Sequence, residues 1–174
     1  AKNMFSVCGC NAHGKVLFRK SLNRDKLLAF IAQQPHCLIG MEACSGAHHW
    51  ARLFQAQGHT IGIMAPKFVT PFRKGGKNDG NDALAIALAV SHPEMRFVAI
   101  KNPEQQAALC LHRVRQGLVE DRTAQVNRLR GLLSEFGIIM PQGFGEARRA
   151  IPFILADTDN ALPILARRLL NDAN

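Results

Sequence analysis

The feature that most limits how this chain can fold is a change of texture at Pro103. Before it, short apolar runs alternate with amphipathic stretches. After it, apolar residues recur at three- and four-residue steps. Met4 to Gly9 and Val16 to Leu22 read as strands, and Asn11-Ala12-His13-Gly14 between them supplies turn chemistry, so a β-hairpin is expected. Asn23 is placed to cap a helix from about Arg24 to Gln34, with Leu27, Leu28 and Ile31 as its apolar stripe and Pro35 as its stop. Cys37 to Met41 is a compact apolar run that suits a buried strand and delivers Glu42 at its end. A helix from about Ala47 to Gln57, C-capped by Gly58, and a strand over Thr60 to Met64 follow. The β–α–β–α–β alternation after a hairpin predicts an α/β fold with a mixed sheet. Pro66, Pro71, Gly75 and Gly76 predict an irregular stretch over residues 66–78. A helix from near Asn78 to Ser91 and a last strand within Arg96 to Ile100 complete this part.

From Pro103, with Asn102 as cap, Leu111, Val114, Leu118, Gln125, Leu129, Leu132 and Phe136 mark one face of a long helix of coiled-coil type. An interruption is expected near Asp121–Arg122 and an end at Gly137. Such a helix suits dimerisation; alternatively its Arg113, Arg115, Arg122, Arg128 and Arg130 face nucleic acid. Short helices and linkers are expected beyond. The expected division is residues 1–100 for the α/β part and 101–174 for the helical part.

Composition narrows the function classes. With 47% hydrophobic and 20% charged residues over 174 positions, the chain is not of a disordered type. The longest unbroken apolar run, Ala83 to Val90, is too short to cross a bilayer, and no secretory signal opens the chain, so no membrane role and a cytoplasmic location are expected. Five cysteines without CxxC spacing predict reduced, mostly buried thiols. His48 and His49 beside Cys44 lack a further zinc ligand at sensible spacing, and are expected on a helix surface. Neither a GxGxxG motif nor a P-loop occurs. The net charge of +9 is concentrated in residues 1–100, which carry +7, and Lys67, Arg73, Lys74 and Lys77 lie close together. A surplus of this kind suggests a polyanionic partner, of which nucleic acid is the commonest.

Three acids stand out. Glu42 ends an apolar strand, where a carboxylate is costly to desolvate unless a cation pairs with it. Asp79 and Asp82, three apart at a helix start, project from one face; taken singly, either suits a cap or dipole partner. Carboxylates converging from a strand end and a helix start suit hard divalent cations such as Mg²⁺. Two such ions can activate a water or hydroxyl and steady the leaving oxygen of a phosphodiester.

The run Met41-Glu42-Ala43-Cys44-Ser45-Gly46-Ala47-His48-His49-Trp50-Ala51-Arg52 resembles the signature around the second acid of the DEDD-type bacterial insertion-sequence transposases, relatives of the Piv and MooV DNA invertases. Lys77-Asn78-Asp79-Gly80-Asn81-Asp82-Ala83 is similar to the same family's Lys-Asn-Asp-x-x-Asp-Ala block. Met95-Arg96-Phe97-Val98, Glu104-Gln105-Gln106, Leu111-His112-Arg113-Val114-Arg115 and Asn127-Arg128-Leu129-Arg130-Gly131-Leu132-Leu133 continue the resemblance through nearly the whole chain.

The resemblance implies a RuvC-like domain of the ribonuclease H fold, then a coiled-coil region, then a domain supplying a serine nucleophile. It implies four acids holding Mg²⁺ or Mn²⁺, with Glu42, Asp79 and Asp82 as the second, third and fourth. DNA is the implied partner, with a structured guide RNA in some members. The family's first Asp lies just before a stretch matching Ala1-Lys2-Asn3, so the expectation is a truncated chain without that acid, most of the first strand or the serine domain. The function expected is DNA transposition or site-specific recombination by a truncated, impaired copy. The rival readings are a non-catalytic nucleic-acid-binding or dimerising remnant and a standalone metal-dependent nuclease.

Overall fold

The computed structural model describes residues 3–172 apart from Lys77, and the chain divides into two compact units, residues 1–105 and 106–174. The first unit is α/β. Strands β1 (Met4–Cys10) and β2 (Val16–Asn23) form the expected antiparallel hairpin. Asn11 shapes the turn by accepting from the His13 and Lys15 amides, and Gly14 takes φ +76°. Helix α1 (Arg24–Ala32), strand β3 (Leu38–Glu42), helix α2 (Ala47–Ala56) and strand β4 (Thr60–Met64) follow in the expected order. Asn23 precedes α1 without a side-chain capping bond; the Arg24 amide instead donates to the Asn3 carbonyl at 2.9 Å.

Strands β3 and β4 are parallel, pairing Gly40 with Gly62 and Glu42 with Met64. The short β5 (Phe97–Val98) is antiparallel to β4. This three-stranded sheet is mixed, as expected, but among the described residues the hairpin forms a separate two-stranded sheet. The irregular stretch expected at 66–78 contains a helical turn, α3 (Pro66–Val69), and a 3₁₀ turn over Thr70–Phe72. Each begins with proline in its first turn, where the missing N–H had no intrahelical partner to lose. Helix α4 (Asp79–Ala89) is capped by Asn78, whose side chain accepts from the Asn81 amide at 2.8 Å.

Two layers enclose the sheets. On one side Leu27 and Ile31 of α1 join Trp50 and Phe54 of α2, with Phe5 and Val7 of β1 and Ile39, Met41 and Ile61 of the larger sheet packed against them. On the other side α4 lies against β3 and also against β1. Its Ala85, Ala89 and Val90 share a buried cluster with Met64 and Val69.

Helix α5 (Pro103–Ser134), most of which belongs to the second unit, is one unbroken 32-residue helix. The expected interruption at Asp121–Arg122 does not occur, because both are acceptable helix residues on an exposed surface. Asn102 caps it as expected, accepting from the Gln105 amide while Gln105 accepts from the Asn102 amide. Gly137 at φ +73° follows its end, and the Leu133 carbonyl takes the Ile138 amide. Helices α6 (Phe144–Ala156) and α7 (Ile164–Asp172) bury Ala147, Ile151 and Leu170 with Leu133 of α5. Arg167 ties their connection by donating to the carbonyls of Leu155, Asp157 and Leu162. No helix among the described residues is long and apolar enough to cross a membrane.

Candidate metal and nucleic-acid site

The site is set by a glycine pair. Side chains alternate across a strand, so Gly40 and Glu42 share the face opposite to that of Ile39 and Met41. A Cβ on Gly40 would meet Val90 at 2.7 Å and Ile86 at 3.1 Å, and one on Gly62 would meet the Phe97 ring at 2.5 Å and Val90 at 3.0 Å. Two adjacent strands thus present bare backbone at the same level; Val90, at the end of α4, reaches both, and the Phe97 ring of β5 covers Gly62 as well. Glu42, two residues past Gly40, projects on the α4 face of β3 and is half-buried. On α4, Asp82 precedes Ala85, Ile86, Ala89 and Val90 by three, four, seven and eight residues, which places it on the same inward stripe. Asp79, one turn earlier, is exposed.

Asp82 is held by charge. Its Oδ1 is shut off from water and stands 2.7 Å from Arg73 Nε, at ion-pair distance but without hydrogen-bond alignment. Arg73 arrives there because Val69 and Phe72, in the turns before it, pack into the cluster under α4. No described cation is paired with Glu42. Among the described residues no three His, Cys, Asp or Glu side chains come together as a metal-holding group. The structure therefore brings Glu42 and Asp82 to one interface and leaves Asp79 at its rim.

Of the basic residues singled out from the sequence, Lys67 and Lys74 are exposed, with Lys67 Nζ 5.0 Å from the Phe68 ring. Arg73 is engaged with Asp82, and Lys77 lies outside the described residues. On α5, Arg113, Arg115 and Arg128 are exposed. Arg130 is spent internally, donating to the carbonyls of Met140 and Pro141, and Arg122 stacks over Phe144 at 4.5 Å.

The cysteines are free thiols but not mostly buried: Cys37, Cys44 and Cys110 are exposed, while Cys8 and Cys10 are half-buried with sulfurs 4.0 Å apart. They occupy a strand margin, a loop and an outward helix face, where no core covers them. Burial pushes the Cys37 thiol above its ordinary pKa even so. His49 is on the surface as expected. His48 is not: it is half-buried and bonded to Lys101, and partial burial, then the charges of Lys101 and Arg52, lower its pKa. Neither this contact nor the glycine-pair seat was read from the sequence. A signal for the seat did exist, in the repeated Ile-Gly of Ile39-Gly40 and Ile61-Gly62.

Comparison with known proteins adds the family. Residues 1–138 match the family model of IS110-type DEDD transposases, described as Transposase. The chain is 43% identical over 99% of its length to a probable family 20 transposase of Pseudomonas aeruginosa, covering 51% of that protein. It is 40% identical over 98% of its length to the transposase for insertion sequence element IS1111A of Coxiella burnetii, covering 47% of it. It is also 43% identical over 85% of its length to the transposase for insertion sequence element IS1328 of Yersinia enterocolitica, covering 44% of it. The chain thus spans about half the length of the curated relatives it matches. No solved structure matches it. With four-fifths of its residues under that family model and two relatives aligned along nearly all of it, the chain belongs to the IS110-type DEDD transposases.

Proposed function

We propose that this chain carries the metal-binding face of a DNA transposase, with Glu42, Asp79 and Asp82 as its carboxylates. The observation that carries the reading is Asp82 Oδ1 withdrawn from water against Arg73, with Asp82 on the inward stripe of α4 and Glu42 at the end of β3 on the face that α4 covers. The donor set is all oxygen, which fits a hard divalent cation, Mg²⁺ or Mn²⁺. Since no three such groups gather among the described residues, Glu42 and Asp82 would hold the cation, Asp79 would join from the rim, and waters and DNA phosphate would supply the rest, a common arrangement for Mg²⁺. When bound, the cation would neutralise charge on a phosphodiester undergoing strand cleavage. Glu42 and Asp82 would orient it, and Arg73 would exchange its carboxylate partner for a DNA phosphate. Exposed Lys67 and Lys74, with Lys77, would hold the strand nearby.

The two sheets share their helical layers although they are not paired among the described residues, which supports a ribonuclease H-like, RuvC-like arrangement. On α5, Leu111, Val114 and Leu118 are 71%, 61% and 64% exposed, which supports a coiled-coil homo-oligomer formed through the region 101–174, with 1–100 as the metal-binding domain. DNA is the proposed partner, with a structured guide RNA as a second, and the cytoplasm is where they would meet.

Titration of Mn²⁺ into the chain, followed by thermal melting, tests the metal site. The parent should be stabilised in proportion to the logarithm of free metal, and the Asp79→Ala/Asp82→Ala variant should not. Equal melts with and without metal in both would refute the site. That no three such groups gather among the described residues favours one other reading, a non-catalytic DNA-binding remnant. A salt-sensitive DNA complex indifferent to metal and to Glu42→Ala would select it.

A further inference from the structure

We propose that His48, Arg52 and Lys101 form a separate phosphate-binding point for the DNA backbone, an inference that rests on the DNA-binding reading above. Helix α2 sets His48 and Arg52 four residues apart, hence on one face. The chain leaving β5 crosses that face and is pinned to it twice. The Lys101 amide donates to His48 Nδ1 at 3.2 Å, and Arg52 Nη1 donates to the Lys101 carbonyl at 2.6 Å.

These bonds decide what the cluster can recognise. A neutral imidazole carries one proton, and with Nδ1 accepting from an amide that proton sits on Nε2. Nε2 is 3.5 Å from the Lys101 ammonium, which can only donate. Two donors therefore face each other with no acceptor between them, and the remaining guanidinium N–H groups of Arg52 add more. Among the described residues no carboxylate pairs with Arg52, Lys101 or His48. The unbalanced positive field also shows in the direction of the His48 pKa, lowered by both cations after burial. An oxyanion with several acceptor oxygens would accept from both Nε2 and the ammonium, with Arg52 adding its charge beside them. The phosphodiester of a DNA strand has that chemistry, and Arg and Lys are its usual ligands.

The test compares duplex DNA binding by the full chain over a range of salt, for the parent, Lys101→Gln, Lys101→Arg and Lys15→Gln. Lys15 is an exposed hairpin residue and controls for net charge. Lys101→Gln leaves both backbone contacts in place, so the fold should melt as the parent does. Loss of one phosphate contact should reduce the slope of log affinity against log salt by about 0.9 and weaken binding about fivefold at 0.15 M salt. Lys101→Arg should retain the parent slope. A Lys101→Gln slope equal to that of the parent and Lys15→Gln would overturn the proposal. Should the chain bind no DNA at all, the reading of this chain as a DNA-binding one fails. The phosphate point is then judged by titrating inorganic phosphate against the His48 ring-proton NMR signal. A saturable shift in the parent, absent from Lys101→Gln, upholds it as an anion site; an unmoved signal overturns it.

Discussion

His59 shows how much one side chain can settle. It is the buried polar residue of the described core, 5% exposed, with Nδ1 accepting from the Cys37 amide at 3.3 Å and Nε2 donating to the Ile31 carbonyl at 3.2 Å. It thereby ties the end of α1 and the entry to β3 to the start of β4. His59→Ala would leave an amide and a carbonyl unpaired, so a loss of about 2–3 kcal/mol is expected in urea denaturation. At His48 it is protonation that bears on stability. Its folded pKa lies below the ordinary value of 6.5, so the unfolded chain binds protons more readily. Its contribution to stability is complete above 6.5 and is lost as pH falls from there towards the lowered value. Melting temperature measured from pH 7.5 down to 5 should decline, and His48→Gln should flatten that part of the decline. The Arg73–Asp82 pair sets Nε against an Oδ1 shut off from water, although each side chain is about a quarter exposed. Arg73→Gln leaves that oxygen without its cation and should cost about 1–3 kcal/mol in stability, read in urea unfolding. The same change should tighten Mn²⁺ binding by calorimetry, since it removes the cation competing for Asp82.

Among the elements, α4 and its seat matter most for the site. Alternation along β3 and helical spacing along α4 were legible as periodicities, and so were Glu42, Asp79 and Asp82 as candidates. What periodicity does not carry is depth. Gly40 and Gly62 let Val90 approach both strands, and Gly40 lets Ile86, one turn earlier and on the Asp82 side, approach β3. Gly40→Ala would place a methyl group 2.7 Å from Val90 Cβ, which must then move. A cost of about 1–3 kcal/mol is expected in urea unfolding, with metal-dependent stabilisation reduced alongside, because Asp82 is lifted with the helix. Pro66 and Pro71 read as breakers because proline stops a helix from within. At the first turn it starts one instead, and the two short turns that result carry Arg73 to Asp82.

For the molecule as a whole, the repeat of apolar residues on α5 divides between two uses. Val126, Leu129 and Leu133 are covered by α6 and α7 within the second unit. Leu111, Val114 and Leu118, on the same helix, have no described side chains covering them to a comparable degree. Leu118→Lys should therefore leave the thermal unfolding of the dissociated chain within about 0.5 kcal/mol of the parent, as for other exposed positions. It should shift the sedimentation coefficient from that of an oligomer to that of a monomer. An unchanged coefficient in the variant would remove the coiled-coil reading while leaving the fold of each unit untouched.

Local order in the chain was enough to place the hairpin, the alternation of helices and strands, the long helix and the family motifs. Each depends on side-chain period, turn chemistry or a contiguous residue pattern. The same order assigned the three acids as candidates from their places at a strand end and a helix start. Only tertiary packing decided that Asp82 is drawn inward against Arg73 while Asp79 stays exposed, since that difference comes from which helix face meets the sheet. It also decided that His48, Arg52 and Lys101, up to 53 residues apart, share one donor-rich point. Separation along the chain carries no record of such a meeting, because it is set by how two packed layers bring the end of β5 across α2.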